Sequence, residues 1–500
     1  MAAIERPNIL VLMSDQHNAG VMGCAGDPVA RTPNLDRLAA EGVRFSDAYC
    51  PAPLCVPSRM SFMTSRTPSR NRVWNNRHVL SSAIPTWTHH LGAAGYETAL
   101  IGRMHFVGPD QRHGFELRPL GEFSAGHPGN TWTGGQAWQH YSDKSTGQNR
   151  TAAETAGTGY SLYQWFDEQG AGSTCEYIRG KAGGSGDGRP FAAVAGFLLP
   201  HCTFICPKAL FDYYYERVEV PAASEDAPPA VNRYRRFRGL TDPELPAERV
   251  RIARAAYYGM CEFFDSQVGR VLDCLDETGL AGNTLVVYCS DHGEQAGEHG
   301  CWWKSTYYQG SAGVPLLARL PGTVPGGRVS GAVCNLMDLG PTLCEAAGAG
   351  PMRAVDGRSL WRALRGEHPA DRVEETFSEF VDGRTGESDH PCLPSRMIRS
   401  GKWKLWVHED EDRLPPVLFD LEADPAEMSD LGSDEAHASV REKLLARLRE
   451  GWDPELTRSE TLRLDRDAAA LGAWGRAVRP DCADALPVPE EDVERGIVLL

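Results

Sequence analysis

The sequence predicts an α/β protein, a three-layer α/β/α sandwich with a largely parallel central sheet, followed by a smaller C-terminal α+β unit. Three observations carry this prediction. Short apolar runs recur along the chain and end in polar residues, as strands of a parallel sheet buried on both faces do. Helical stretches separate those runs. After about residue 371 the pattern changes to a hairpin and an amphipathic helix.

The opening run PNILVLMSD reads as the first buried strand. TPNLDRLAAEG follows as a helix, with Thr32 as N-cap, Pro33 in the first turn and Gly42 as terminator. YETALIG, FAAVAGFLL and TLVVYCS read as further strands. The stretch from Glu248 to Leu280 reads as one long helix or two, with Gly279 as its stop. Residues from about 122 to 188 are rich in Gly, Thr, Ser and aromatics, and read as an insertion of loops and short helices over the carboxyl edge of the sheet. WKLWVHEDEDRLPPVLFDLEADPAE reads as an antiparallel hairpin, and EAHASVREKLLARLREG as an amphipathic helix closed by Gly451. The expected organisation is therefore a catalytic α/β domain over 1–370, an α+β subdomain over 371–459 and a polar tail over 460–500.

A chain of 500 residues exceeds what one small core needs, which fits one large domain and a smaller one. Hydrophobic content of 41% and charged content of 24% are those of a globular enzyme. The net charge of −16 excludes general nucleic-acid binding, because no basic stripe would neutralise phosphates. It leaves room for an anionic substrate in a local Arg/Lys pocket. The N-terminus has a short apolar run and no early basic region, so it does not read as a signal peptide. No apolar run is long enough to cross a bilayer. A cytoplasmic location is expected, with the 14 scattered cysteines mostly reduced. Cys202 and Cys206 read as small hydrophobes rather than a metal pair.

Polar residues gather where strands end. Asp15 and Gln16 follow the first strand, Arg103 and His105 follow TALIG, His201 follows FLLP, and Asp291 with His292 follows VVYCS. Ligand crevices in open α/β sheets lie outside those carboxyl ends. Taken singly, Asp15 reads as a turn or cap, SDHG as an Asx turn and His201 as a surface histidine. Four segments aiming acids, histidines and an arginine at one edge are hard to explain by packing. Asp15 and Asp291 offer hard oxygen ligands for Ca²⁺ or Mg²⁺, His292 a nitrogen and Gln16 an amide oxygen. Lys304 in GCWWKSTYYQG is a point charge able to hold an anionic oxygen. Cys55 falls just before an expected helix, PSRMSFMTSR; if that helix includes it, Cys55 and Arg59 share a face.

CVPSRMSFMTSR resembles the sulfatase family of the alkaline-phosphatase superfamily, whose signature is Cys-x-Pro-Ser-Arg; only Ser65 departs, where Gly is usual. RPNILVLMSDQ and DLEADPAEMSDL are similar to the family's first strand and C-terminal motif, so the resemblance runs from about residue 5 to 435. GRMHFVGPDQRHGFE and SDHGEQAGEHGCWWKSTYYQGSAGVPLLARLPG resemble choline-sulfatase-like members, which share Asp-Gln at 15–16 and Asp-His at 291–292. Arg103 stands where a lysine is usual, and the tail does not match the choline-sulfatase tail.

The resemblance implies an alkaline-phosphatase-like fold and a sulfuric ester hydrolase. It implies that Cys55 is oxidised to formylglycine (3-oxoalanine) by a separate formylglycine-generating enzyme, and that the hydrated gem-diol is the nucleophile. It also implies that Asp15, Asp291, His292 and residue 55 bind a divalent metal, Ca²⁺ or else Mg²⁺ or Mn²⁺, with Gln16 as a further candidate ligand. Arg59 would fix the diol, His105 take the proton that expels sulfate, His201 protonate or steady the leaving oxygen, and Arg103 with Lys304 clamp the sulfate. A gem-diol has a second hydroxyl whose deprotonation ejects sulfate, which a serine-type nucleophile lacks.

Two alternatives stay open. One is a phosphonate monoester or phosphodiester hydrolase with the same nucleophile. The other is a non-catalytic anion- or metal-binding protein. Trp132, Trp138, Tyr141, Trp302, Trp303, Tyr307 and Tyr308 would suit a cage for a quaternary ammonium such as choline, or else serve packing. Which sulfate ester is cleaved, and whether the chain forms a homo-oligomer, are left open by the sequence.

Overall fold

The computed structural model describes residues 6–122, 147–184, 187–222, 224, 226–367, 373–382, 392–478, 484 and 486. An eight-stranded sheet forms its centre. In chain order the strands are β1 (Asn8–Ser14), β2 (Val43–Phe45), β3 (Glu97–Gly102), β4 (Leu117–Leu120), β5 (Phe191–Gly196), β6 (Thr284–Ser290), β7 (Leu316–Arg319) and β8 (Arg328–Ser330). Their spatial order is β8-β2-β7-β6-β1-β5-β3-β4. Every pairing is parallel except those of β7, which runs against both neighbours. All seven residues of β1 are buried, which is why that run lacks the alternation of a half-exposed strand.

Helices cover both faces. On one side α1 (Pro33–Glu41), α4 (Leu162–Ala182) and α5 (Ala247–Glu277) pack together, and on the other α2 (Cys55–Thr64), α3 (Trp87–Ala93) and α6 (Leu339–Ala346). The expected caps Thr32 and Gly42 bound α1, with Pro33 inside its first turn. The long helix is a single element, α5. α2 starts at Cys55 itself, two residues before the proline that marked its expected start, and all ten of its residues are buried. A helix buried all round keeps no amphipathic stripe, so its sequence gives little periodicity.

The insertion expected over about 122–188 holds more regular structure than loops and short helices. Its composition hides the 21-residue α4, which starts at a capping box: Gln164 N donates to Ser161 Oγ at 3.4 Å and Ser161 N to Gln164 Oε1 at 2.5 Å. Glycines at 170, 172 and 180 lower its propensity, and burial against the sheet overrides that.

The C-terminal unit is an antiparallel sheet of β9 (Glu375–Asp382), β10 (Leu393–Ser400), β11 (Trp403–His408) and β12 (Val417–Asp420), in that order. The expected hairpin is its β11–β12 half. One face joins the main core through Met397, Trp406 and Phe419, and the other packs on Leu444 and Leu448 of α7 (Ala438–Arg449). A tail beginning at residue 460 is not what forms: helix α8 spans Pro454–Val478, across the expected boundary. It is polar on most sides because it is fastened by charge. Asp465 lies within 2.9 Å of Asn75 Nδ2, 3.0 Å of Arg77 Nη2 and 3.3 Å of His78 Nε2.

Candidate active site

Four adjacent strands, β6, β1, β5 and β3, release their chains at one edge, so Asp291, Asp15, His201 and Arg103 emerge side by side. α2 brings Cys55 to the same place from above, and the loop after β6 brings Lys304. Asp15, Gln16, Arg59, Asp291 and His292 are fully buried.

Arg59 organises the two carboxylates. Its Nε donates to Asp291 Oδ2 at 2.8 Å and its Nη2 to Asp15 Oδ2 at 3.1 Å. Arg103 Nε donates to the same Asp15 Oδ2 at 2.8 Å. The opposite oxygens turn inward: Asp15 Oδ1 lies 3.7 Å and Asp291 Oδ1 3.6 Å from His292 Nε2. Cys55 Sγ lies 3.2 Å from that same nitrogen and 3.7 Å from Asp15 Oδ1. His292 Nδ1 sits 3.0 Å from the Gly293 carbonyl, which can only accept, so Nδ1 carries hydrogen and Nε2 presents its lone pair. The four ligand atoms of Asp15, Cys55, Asp291 and His292 lie within 4.8 Å of one another.

Burial raises the Asp15 carboxyl, but Arg103, His201, Arg59 and Lys304 together bring it well below its ordinary value, so it is ionised. Burial likewise opposes the charge on Lys304, and its attraction to Cys55 and to acidic groups, Asp15 foremost among them, outweighs burial and raises its pKa. His105 and His201 are both held below the usual histidine range, in each case chiefly by burial, with Arg103 next for His105 and Lys304 next for His201.

The two histidines differ in tautomer. Arg103 Nη2, which can only donate, lies 2.8 Å from His105 Nδ1. The neutral His105 ring therefore carries its hydrogen on Nε2, which is buried and has no partner among the described residues. His201 Nδ1 lies 2.5 Å from the Cys202 carbonyl, so it is protonated there and its Nε2 holds the lone pair. In this geometry the neutral His105 ring presents an N–H at Nε2 and His201 a lone pair at Nε2.

Several partners went unread in the sequence. Glu122 Oε1 accepts from His105 N at 2.8 Å and from Met104 N at 3.3 Å, and its Oε2 lies 3.5 Å from Arg103 Nη1. Asp167 on α4 accepts from Leu198 N at 2.7 Å and Leu199 N at 3.0 Å, steadying the turn into His201. Asn76 Oδ1 accepts from Val56 N at 3.0 Å and so caps the Cys55 helix from the loop that Asp465 fastens. Gln16 does not turn its amide oxygen to the Asp/His cluster; it accepts from Lys304 Nζ at 2.5 Å. Glu294, two residues beyond His292, was the one legible signal, an acid inside the same motif.

Trp132, Trp138 and Tyr141 lie outside the described residues. Trp302, Trp303, Tyr307 and Tyr308 are buried in the core, with Trp302 against Phe204 and Tyr308 stacked on His299 at 3.8 Å. They pack rather than form an open cage. Among the described residues no helix is long and apolar enough to cross a membrane.

The Sulfatase family model matches residues 7–349, and the model for the N-sulphoglucosamine sulphohydrolase C-terminal region matches 297–452. The choline-sulfatase of Rhizobium meliloti is 33% identical over 450 residues, covering 86% of this chain and 83% of that protein. A multifunctional alkaline phosphatase superfamily protein of Trinickia caryophylli is 30% identical over 491 residues, covering 87% and 93%. Among solved structures, the phosphonate monoester hydrolase of Agrobacterium radiobacter superposes with a TM-score of 0.71 at 26% identity, covering 89% of this chain and 96% of that one.

Proposed function

The chain belongs to the sulfatase family, and from that premise we propose that it hydrolyses a small sulfate monoester at the edge where Cys55, Asp15, Asp291 and His292 meet. The observation that carries this reading is the donor set itself. Two carboxylate oxygens and a histidine lone pair converge beside the first residue of a helix, where the dipole favours negative charge. Those donors suit a hard divalent cation such as Ca²⁺, Mg²⁺ or Mn²⁺, and a soft thiolate is the odd member among them. Oxidation of Cys55 to formylglycine by a formylglycine-generating enzyme removes that mismatch. A bound cation supplies charge neutralisation, and formylglycine, as its hydrate, supplies an oxygen nucleophile.

The remaining work falls to the chain's own residues. Arg59 bridges Asp15 and Asp291 and so keeps their inner oxygens aimed at the cation position. Arg103 and Lys304 supply cationic donors for the transferred group. His105 offers its Nε2 hydrogen to a substrate oxygen, and His201 offers a lone pair that takes a proton or, once protonated, gives it to the leaving oxygen. The two carboxylates, Asp15 and Asp291, are already engaged by arginines, so little reorganisation is needed on binding.

Choline sulfate is favoured as substrate by the 33% identity to a choline-sulfatase, and the buried aromatics give it no further support. A phosphonate monoester or phosphodiester substrate is the second reading, favoured by the fold match to a phosphonate monoester hydrolase. The test is a panel of choline, aryl and alkyl sulfates beside matched phosphonate and phosphodiester esters, on protein co-expressed with a formylglycine-generating enzyme. Preference for sulfates, lost in Cys55→Ala, is expected. Preference for phosphorus esters, or full turnover by Cys55→Ala, would overturn the proposal.

A further inference from the structure

Arg103 and His105 stand on a turn that needs outside support. His105 has a φ of 58°, in the left-handed region, which a non-glycine residue keeps only where its surroundings impose it. Glu122, two residues beyond β4, is the group that does so. Its Oε1 accepts from Met104 N at 3.3 Å and from His105 N at 2.8 Å, and its Oε2 from Arg103 Nη1 at 3.5 Å. One carboxylate thus holds the turn by its backbone and the arginine by its fork. Two further nitrogens of that guanidinium meet Asp15 through Nε and His105 through Nη2, both at 2.8 Å, so any shift of Arg103 is felt at both.

The rest of the loop is tied to the same carboxylate. Arg118 on β4 donates from Nη2 to Glu122 Oε1 at 3.3 Å. Its Nη1 donates to the Gln111 carbonyl at 2.7 Å and to Gln111 Oε1 at 3.1 Å. Gln111 Nε2 in turn donates to the carbonyls of Phe106 at 3.1 Å and Gly108 at 2.7 Å. Carbonyls only accept and a guanidinium only donates, so the Gln111 amide has one orientation. The carboxylate gathers the amides at one end of the loop, Gln111 gathers the carbonyls at the other, and Arg118 joins the two. Gln111 and Glu122 are buried and the Arg118 side chain is enclosed. A buried network satisfied in this way specifies one conformation.

We infer that Glu122, Arg118 and Gln111 are positioning residues, which together fix the 103–108 loop so that Arg103 and His105 face the substrate's anionic group. This rests on the reading of Arg103 as a donor to the transferred group. In Glu122→Gln three donors, Met104 N, His105 N and Arg118 Nη2, keep the new amide oxygen at the Oε1 position. The new NH₂ then meets Arg103 Nη1, donor against donor, and the arginine must move. Arg103→Lys has no Nη1 to oppose it, so the same substitution does little in that background.

The experiment compares Arg103→Ala, Arg103→Lys, Glu122→Gln, the Arg103→Lys/Glu122→Gln double variant and Gln111→Ala on matured enzyme. It follows kcat and KM on an aryl sulfate, binding of inorganic sulfate by calorimetry, and urea midpoints. Arg103→Ala is expected to lower kcat/KM about 100-fold. Glu122→Gln is expected to lower it about tenfold and to weaken sulfate binding, while in the Arg103→Lys background it costs less than about threefold. Gln111→Ala, which leaves every charge in place, is expected to lower kcat/KM about fivefold. Wild-type turnover by Arg103→Ala would overturn the reading of Arg103 itself. An impaired Arg103→Ala beside a Glu122→Gln with unchanged turnover and sulfate binding would overturn the inference alone. So would an equal cost of Glu122→Gln in both backgrounds. If Glu122→Gln does not fold, Gln111→Ala carries the test, and wild-type turnover by that variant would overturn the inference.

Discussion

Adding one methyl group at Gly196 should disable the site without unfolding the protein. Gly196 ends β5 beside β3, and its carbonyl accepts from Arg103 N at 2.9 Å. A Cβ built on Gly196 would lie 1.7 Å from the Arg103 carbonyl oxygen and 2.6 Å from its carbon. Real Cβ atoms essentially never approach closer than 3.0 Å, and the atoms in the way are backbone, so Arg103 must retreat by more than about 1 Å. Overpacking of this kind costs about 1–3 kcal/mol, and straining the Arg103–Gly196 bond adds about 1 kcal/mol. Displacing a charged donor by about 1 Å costs on the order of 100-fold in turnover. Gly196→Ala should therefore lose about 3 kcal/mol in urea unfolding and about 100-fold in kcat/KM on an aryl sulfate. Gly282→Ala, where a Cβ meets nothing within 4 Å, is the matched control and should be neutral. Gly196→Ala with kcat/KM within threefold of wild type would refute the reasoning, because Arg103 could then move that far without consequence.

Arg59→Lys keeps the charge but loses the fork spanning Asp291 and Asp15. It should cost about 3 kcal/mol in urea unfolding and at least about 100-fold in kcat/KM. Dialysis against a chelator should abolish turnover, and Ca²⁺, Mg²⁺ or Mn²⁺ should restore it. Cation at about 100 times its Kd should also raise stability by about 2.7 kcal/mol in a thermal-shift titration. His408, buried in β11, has its pKa pulled down to about 4 by burial, against the attraction of Asp382. Its folded value lies below the unfolded one of about 6.5, so the stability it contributes is present above pH 6.5 and lost as pH falls toward 4. The stability gap between wild type and His408→Gln should thus shift against wild type by about 2.5 kcal/mol from pH 7.5 to 4.5, read from urea midpoints. Asp465→Ala leaves the 74–78 loop without its buried anchor and should cost about 2 kcal/mol, with a smaller fall in turnover through Asn76.

The strand ends were legible because a parallel strand buried on both faces writes itself as an apolar run, and the first polar residue after it marks the edge. Thr32, Pro33 and Gly42 bound α1 by local backbone chemistry, which neighbours cannot hide. The antiparallel turn of β7 was not legible, since its short apolar run pairs equally well in either direction. α4 was masked by glycines that only its packing redeems, and α8 by a largely polar surface whose ties, the buried Asp465 among them, reach residues far away in the sequence. The candidate site divides along the same line. Residues at strand termini announced themselves, whereas Glu122 and Asp167 act by accepting N–H groups from distant backbone, and that partnership exists only in three dimensions. The tryptophans and tyrosines of 302–308 show the converse, since aromatic content alone does not separate a cage from a core.

The fastening of α8 also has a consequence in time. Cys55 and the Asp465 that anchors its capping loop stand about 400 residues apart along the chain. At roughly 5–20 residues per second, a ribosome takes about 20–80 s to travel between them. Throughout that interval the 74–78 loop lacks its last anchor, and Asn76 caps the Cys55 helix from a loop not yet fastened. The order of synthesis thus leaves the loop that caps the Cys55 helix to be fastened last, after every other part of the candidate site has been made.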